Sequence, residues 1–303
     1  MAAFLSFNKI GKKINNVNLL ADLSFGIQKG EILFILGKTN SGKSTLFKIL
    51  MGFMAKDKGQ IFVDGMDYDI RKNKILSNIG YMPQKNIFDK NLNVYENLSF
   101  FAELQGLRKV DINEKIQYWA DRLNFKKYLF DQIDLISDSV LKKISFSRAL
   151  IHNPDILLFD DPTSYMDYYD QNIIFEVIQE IKITKSILFI TQDFKIAELY
   201  SDRVVIIANG KVAFNGTIQN VEESMDEIYK YRFSFKRIVP SEFLKIIREN
   251  KDINKIISRD NNIEIRVRDK KVFFDVFKLA VSYELQDVKM SSSKLTDLFE
   301  RII

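Results

Sequence analysis

The sequence predicts an α/β protein, a mostly parallel sheet covered by helices, followed by a smaller α+β unit. Three observations lead there. Short apolar runs, "ILFIL" (32–36), "DILLFDD" (155–161), "SILFIT" (186–191) and "RVVIIA" (203–208), are bounded by polar or turn residues. That is the pattern of strands buried on both faces. Amphipathic helical stretches separate them, as in a sheet built from strand–helix–strand units. After "NGKVAFNGT" (209–217) the pattern changes to short alternating strands and helices. A chain of 303 residues suits two domains, expected over 1–222 and 228–303.

Taken in order, 32–36 reads as a buried strand, a glycine-rich loop follows it, and "STLFKILMG" reads as the helix after the loop. A helical subdomain is expected over about 88–150, where "VYENLSFFAELQGL" and "VDINEKIQYWADRLNF" carry 3.6-type apolar spacing. "DILLFDD" is a second buried strand, "QNIIFEVIQEIKI" (171–183) a helix, and 186–191 and 203–208 further strands. In the C-terminal part "RFSFKRIV" alternates like a strand, and "SEFLKIIREN" is a helix with Ser241 as its expected cap. "NKIISRDNNIEIRVRD" reads as two strands around an Asn261–Asn262 turn. "KVFFDVFKLAVSY" is a helix, "LQDVKM" a strand and "SSSKLTDLFERII" a capped terminal helix. This strand–helix–strand–strand–helix–strand–helix succession is a ferredoxin-like order.

Composition narrows the chemistry. The chain has no cysteine, which excludes disulfides and thiolate zinc and points to a reducing compartment. A single histidine, His152, argues against a histidine metal site and reads as a surface or helix-end residue. The net charge of +5 is spread over both parts of the chain and gives no case for nucleic acid. No apolar run reaches the roughly 18 residues that span a bilayer, and "MAAFLSFNKIGKK" lacks the order of a signal peptide. The expectation is a cytoplasmic or peripheral protein.

The chemistry-bearing stretch is "GKTNSGKST". Gly37, Lys38, Thr39, Asn40, Ser41, Gly42, Lys43 and Ser44 fit G-x-x-x-x-G-K-[ST], and Thr45 follows. Glycine lets the backbone bring its N–H groups up to phosphates, and the helix N-terminus adds a positive dipole end. Lys43 would reach the β- and γ-phosphates and Ser44 would hold Mg²⁺. A strand before and a helix after supply the context the motif needs. In "ILLFDDPTS", Asp160 ends a buried strand, where it can hold Mg²⁺ opposite Ser44.

With these pieces in place, the chain resembles the ATP-binding subunit of an ABC transporter over about residues 3–217. The order of pieces carries the likeness: the cradle, "YMPQ" (81–84), a helical stretch, "SRALIHNPDILLFDDPTSYMD" (147–167) and "ILFITQD" (187–193). The C-terminal part is similar to the appendage of subunits serving ABC-2-type exporters, with "KLTDLFERI" its best piece. The resemblance implies a P-loop NTPase core, ATP and Mg²⁺ as cofactors, a second ATPase subunit and a multi-span membrane permease as partners, and a place on the inner face of the cell membrane. It also implies that Gln84 senses Mg²⁺ and the attacking water, and that Asp167 crosses the dimer interface.

The departures from the family pattern are as specific. Where the family has a catalytic glutamate stands Asp161, and its switch histidine falls at Gln192, which can donate a hydrogen bond but adds no charge. The adenine-stacking aromatic aligns with Ile14, with Phe7 as the alternative. The signature Leu-Ser-Gly-Gly-Gln falls on "ISDSV". Ser137 is kept, and Asp138 and Ser139 replace the glycines. In the family this segment faces the γ-phosphate bound by the opposite subunit, so a carboxylate there would repel it. Asp161 and Gln192 weaken the site built on this chain's own cradle; Asp138 and Ser139 weaken the other. The expectation is therefore an ATP-binding subunit with slow hydrolysis, paired with a different, more active chain. A fully active homodimeric ATPase and a non-transport regulatory module remain the alternatives.

Overall fold

The computed structural model describes residues 3–223, 229–290 and 294–302. The chain divides into two compact units, Met1–Ile218 and Gln219–Ile303.

The first unit holds two sheets. One is an antiparallel sheet in the order β2-β1-β4-β5. It is built from the hairpin β1 (Leu5–Ile14) and β2 (Val17–Ile27) with β4 (Lys58–Val63) and the short β5 (Met66–Asp67). The other sheet runs β10-β9-β3-β8-β7-β6. Its strands β3 (Ile32–Leu36), β6 (Ile79–Met82), β7 (Ile156–Asp160), β8 (Ser186–Ile190) and β9 (Arg203–Ala208) are parallel, and β10 (Lys211–Gly216) adds an antiparallel edge. Every residue of β3, β7 and β8 is buried, as near-continuous apolar runs require, including the polar ends Asp160 and Ser186. The two sheets share one core, in which Leu5, Phe7 and Leu23 meet Leu33, Ile156, Leu188 and Val205.

Helix α1 (Lys43–Leu50) follows β3 through the glycine loop, and α2 (Tyr68–Leu76) leads into β6. Three helices lie between β6 and β7: α3 (Val94–Leu104), α4 (Lys109–Arg122) and α5 (Asp138–Leu150). Helix α3 opens on a capping box in which Asn93 accepts from the Glu96 amide and Glu96 accepts from that of Asn93. Helices α6 (Tyr168–Ile181) and α7 (Phe194–Tyr200) follow β7 and β8. Both are capped by aspartates, Asp167 and Asp193.

Helix α8 (Ile218–Glu223) leads to the second unit, whose elements are β11 (Tyr229–Phe235), α9 (Ser241–Glu249), β12 (Ile253–Arg259), β13 (Asn262–Val267), α10 (Lys270–Val281), β14 (Leu285–Met290) and α11 (Lys294–Ile302). The succession is the one read from the sequence, and the antiparallel sheet runs β12-β13-β11-β14. Phe233, Phe235, Phe243, Ile265 and Val276 form its core. Two local expectations are corrected. Pro240, not Ser241, occupies the N-cap of α9, because proline's fixed φ suits the entry and Ser241 is already helical. Arg259 pairs with Asn262, so the β12–β13 turn is Asp260–Asn261, with Asp260 taking the left-handed φ of 49°. The serines expected to cap α11 lie outside the described residues.

Candidate functional site

The cradle closes over its own lysine. Gly42 has φ of 101°, and a Cβ there would meet Leu20 Cδ2 and Leu19 O within 2.7 Å, so only glycine fits where the loop enters α1. Lys38, Thr39 and Asn40 form an exposed rim, while Lys43 is buried. The Lys43 ammonium donates to Gly37 O (2.7 Å), Lys38 O (2.8 Å) and Ser41 Oγ (3.3 Å). It forms no ion pair among the described residues. Burial pushes its pKa down, and Asp160 and Asp161 pull it back up. A cation held by neutral loop oxygens, beside the N-terminus of a helix, suits a polyphosphate.

The acidic side of the site is built by β7. Asp160 is 4% exposed at the strand end, with the Ser44 side chain beside it. Its pKa is raised, chiefly by burial and further by Asp161, against the Ser44 side chain and the Lys43 charge. A buried carboxylate pushed this way is short of positive charge, and a divalent cation beside Ser44 and Asp160 would supply it. The residues present therefore fit Mg²⁺ with a nucleotide triphosphate.

Asp161 leaves the strand with φ of 53° and its amide donates to Ile190 O at 2.9 Å. Burial raises the pKa of its carboxylate, against Lys142, the largest opposing influence, and the Gln84 side chain. Gln84, Asp160 and Asp161 are thus brought together with Lys43 and Ser44. Gln192 is exposed just beyond β8, between buried Thr191 and the α7 cap Asp193.

Five further predicted positions lie on other elements, α5, the cap of α6 and β1. Ser137 is the N-cap of α5, without a side-chain cap bond, and Asp138 is its first residue. The Ser139 hydroxyl donates to Asp170 Oδ2, and Lys143 Nζ lies 2.8 Å from Asp170 Oδ1. Asp167 caps α6 through the Asp170 amide (2.8 Å) and is exposed. Ile14 ends β1 at 37% exposure beside the exposed Val17. Phe7 is fully buried against Phe25, which removes it as an adenine platform. His152 stands just past the end of α5, half-buried, with its ring 6.3 Å from that of Phe101.

Sequence reading missed Lys142. It is 1% exposed, lines the cleft of about 600 Å³ shared by Gln84, Asp138, Asp161 and Tyr165, and donates to the Gln84 and Asp161 carbonyls. The available signal was two adjacent lysines, Lys142 and Lys143, between the apolar Val140 and Ile144. Both sides of a buried helix cannot face water, so each lysine needs an internal acceptor.

Comparison with known proteins agrees with this geometry. The ABC transporter family profile matches residues 20–164. The chain is 31% identical over 226 residues to the ABC transporter ATP-binding protein NatA of Bacillus subtilis, covering 73% of this chain and 92% of that one. It is 28% identical over 285 residues to an uncharacterized ABC transporter ATP-binding protein of Methanocaldococcus jannaschii, covering 94% and 97%. Among solved structures, the ATP-binding subunit of an ABC transporter superposes with a TM-score of 0.69 at 23% identity, over 73% of this chain and 92% of that one. A dimeric ATP-binding cassette bound to ADP and Pi gives 0.65 at 20%, over 70% and 98%. These last two likenesses concern the fold.

Proposed function

The chain belongs to the family of ABC transporter ATP-binding proteins, and from that premise we propose that it is the weakly hydrolysing ATP-binding subunit of an ABC-2-type exporter. ABC ATPase domains bind ATP with Mg²⁺ and work as dimers beside membrane permeases. Among the described residues no helix is long and apolar enough to cross a membrane; in this reading the pathway belongs to a permease, on which the subunit docks from the inner face. ATP acts chiefly by closing the dimer, and closure is passed to the permease through the helical subdomain.

One observation carries this reading. A complete grip on nucleotide, Lys43 with the Ser44–Asp160 pair, sits beside altered cutting positions, Asp161 and Gln192. The shorter carboxylate places its charge about 1 Å away from where a glutamate would, a displacement worth roughly 10²-fold in rate. The signature lacks both glycines, and Asp138 and Ser139 weaken the second composite site. A heterodimer with a chain of intact glycine signature spreads these defects over two sites, whereas a homodimer combines them in each.

The test is MgATP binding and turnover on the purified chain, alone and mixed with a candidate partner subunit. Binding with slow turnover alone, and faster turnover in the mixture, is the expected pattern. Fast hydrolysis by the lone chain would overturn the division of labour.

A further inference from the structure

The ladder between β6 and β7 ends at Met82 opposite Phe159. Continued by two residues it would align Gln84 with Asp161, but Pro83 has no N–H to donate and Asp161 turns away with φ of 53°. The two carbonyls beyond the last rung are instead joined from outside the sheet. Lys142 Nζ, on α5, lies 2.6 Å from Gln84 O and 3.2 Å from Asp161 O. Its ammonium makes no ion pair among the described residues and is 1% exposed. The Gln84 side chain also stands near enough to the Asp161 carboxylate to hold its pKa down against burial. Lys142 therefore closes a ring of three segments: the start of α5, the loop after β6 and the end of β7.

From this ring we infer that Lys142 is a positioning residue for ATP hydrolysis at this chain's own cradle, setting where the Gln84 amide and the Asp161 carboxylate stand. The assignment rests on the ATPase reading above. Without the ammonium, two half-buried carbonyls face each other with no donor between them, and the segments that carry Gln84 and Asp161 separate. Because Lys142 lies in the second turn of the helix whose N-cap is Ser137, movement of the signature helix is passed directly to both residues. Asp138, one turn earlier, contributes to the electrostatics at Lys142, after Asp161 and Asp160. The signature aspartate thus has a cationic neighbour within its own chain.

The test compares Lys142→Met, which keeps the volume and removes the donors, with Lys142→Arg, which keeps charge and donors on a longer side chain. Turnover is read with the chain in excess over ATP, affinity by equilibrium binding, and backbone exchange in the nucleotide-free protein. For Lys142→Met, kcat falls on the order of 10²-fold while the Kd for MgATP stays within about threefold, because Lys43 and Ser44 are untouched. Amides of residues 84–88 and 161–164 exchange faster in the same variant without nucleotide. Lys142→Arg recovers part of kcat and of the protection. If Lys142→Met does not fold, the arginine variant decides alone: it lowers kcat at unchanged Kd. Unchanged kcat with unchanged exchange in a folded variant overturns the assignment, and so does a parallel loss of affinity and turnover. Nucleotide binding without any turnover in the unsubstituted chain also overturns it and leaves the ATP-binding reading intact.

Discussion

Asp161 answers two demands at once. Its φ of 53° puts it in the left-handed region, which aspartate tolerates better than longer residues. Its carboxylate must also reach toward the nucleotide. Asp161→Glu separates these demands. The longer side chain raises turnover about 10-fold or more and costs about 1 kcal/mol of stability, read as steady-state hydrolysis and thermal melting of the same preparation. Lys43 is simpler. Its ammonium is buried among loop carbonyls and makes no ion pair among the described residues, so Lys43→Ala weakens MgATP binding by about 30-fold or more, measured by titration calorimetry. His152 gives a pH signature. Burial pushes its pKa down, so the unfolded chain takes up a proton first as pH falls. Stability from the neutral ring is full above the unfolded value near 6.5 and is lost as pH drops from there toward the lower folded pKa. His152→Phe flattens that decline in urea melts between pH 7 and 5.

Among the elements, α5 and α6 are joined through one acid. Asp170 accepts from both Ser139 and Lys143, and it stands in the turn capped by Asp167. Asp170→Ala leaves Lys143 buried without its partner and costs about 3 kcal/mol, a drop in melting temperature that Lys143→Met in the same background largely repairs. The buried strands were legible because each is a closed apolar run with a turn signal at either end. So was the loop from Gly37 to Thr45, since glycine and lysine at fixed offsets admit few other uses. The antiparallel sheet of β1, β2, β4 and β5 was not legible. Its strands are half exposed, β1 is bent by register shifts at Ile10 and Lys12, and the charged Lys9, Lys12 and Lys13 break the alternation. The Asp260–Asn261 turn was off by one residue because three turn-formers in a row, Asp260 to Asn262, leave the register to the partner strand. Lys142 stayed hidden because its acceptors, Gln84 and Asp161, are 58 and 19 residues away in sequence.

At the scale of the molecule, each unit has a core of its own, one around Phe7, Leu33 and Leu188 and one around Phe233, Phe243 and Ile265. All the residues assigned to gripping nucleotide lie in the first. In the second, α11 is tied to the sheet by Lys230, which pairs with Asp297, both nearly buried. Lys230→Met is expected to loosen α11 without changing MgATP affinity, checked by proteolysis and binding on one sample. The central claim, strong grip with weak cutting, is tested most directly by titrating the purified chain with MgATP and following phosphate release in the same cell. The account predicts saturable binding well below millimolar ATP with turnover far under the roughly 1 to 10³ s⁻¹ common among enzymes. No binding at millimolar ATP, or turnover within that range by the lone chain, would contradict it.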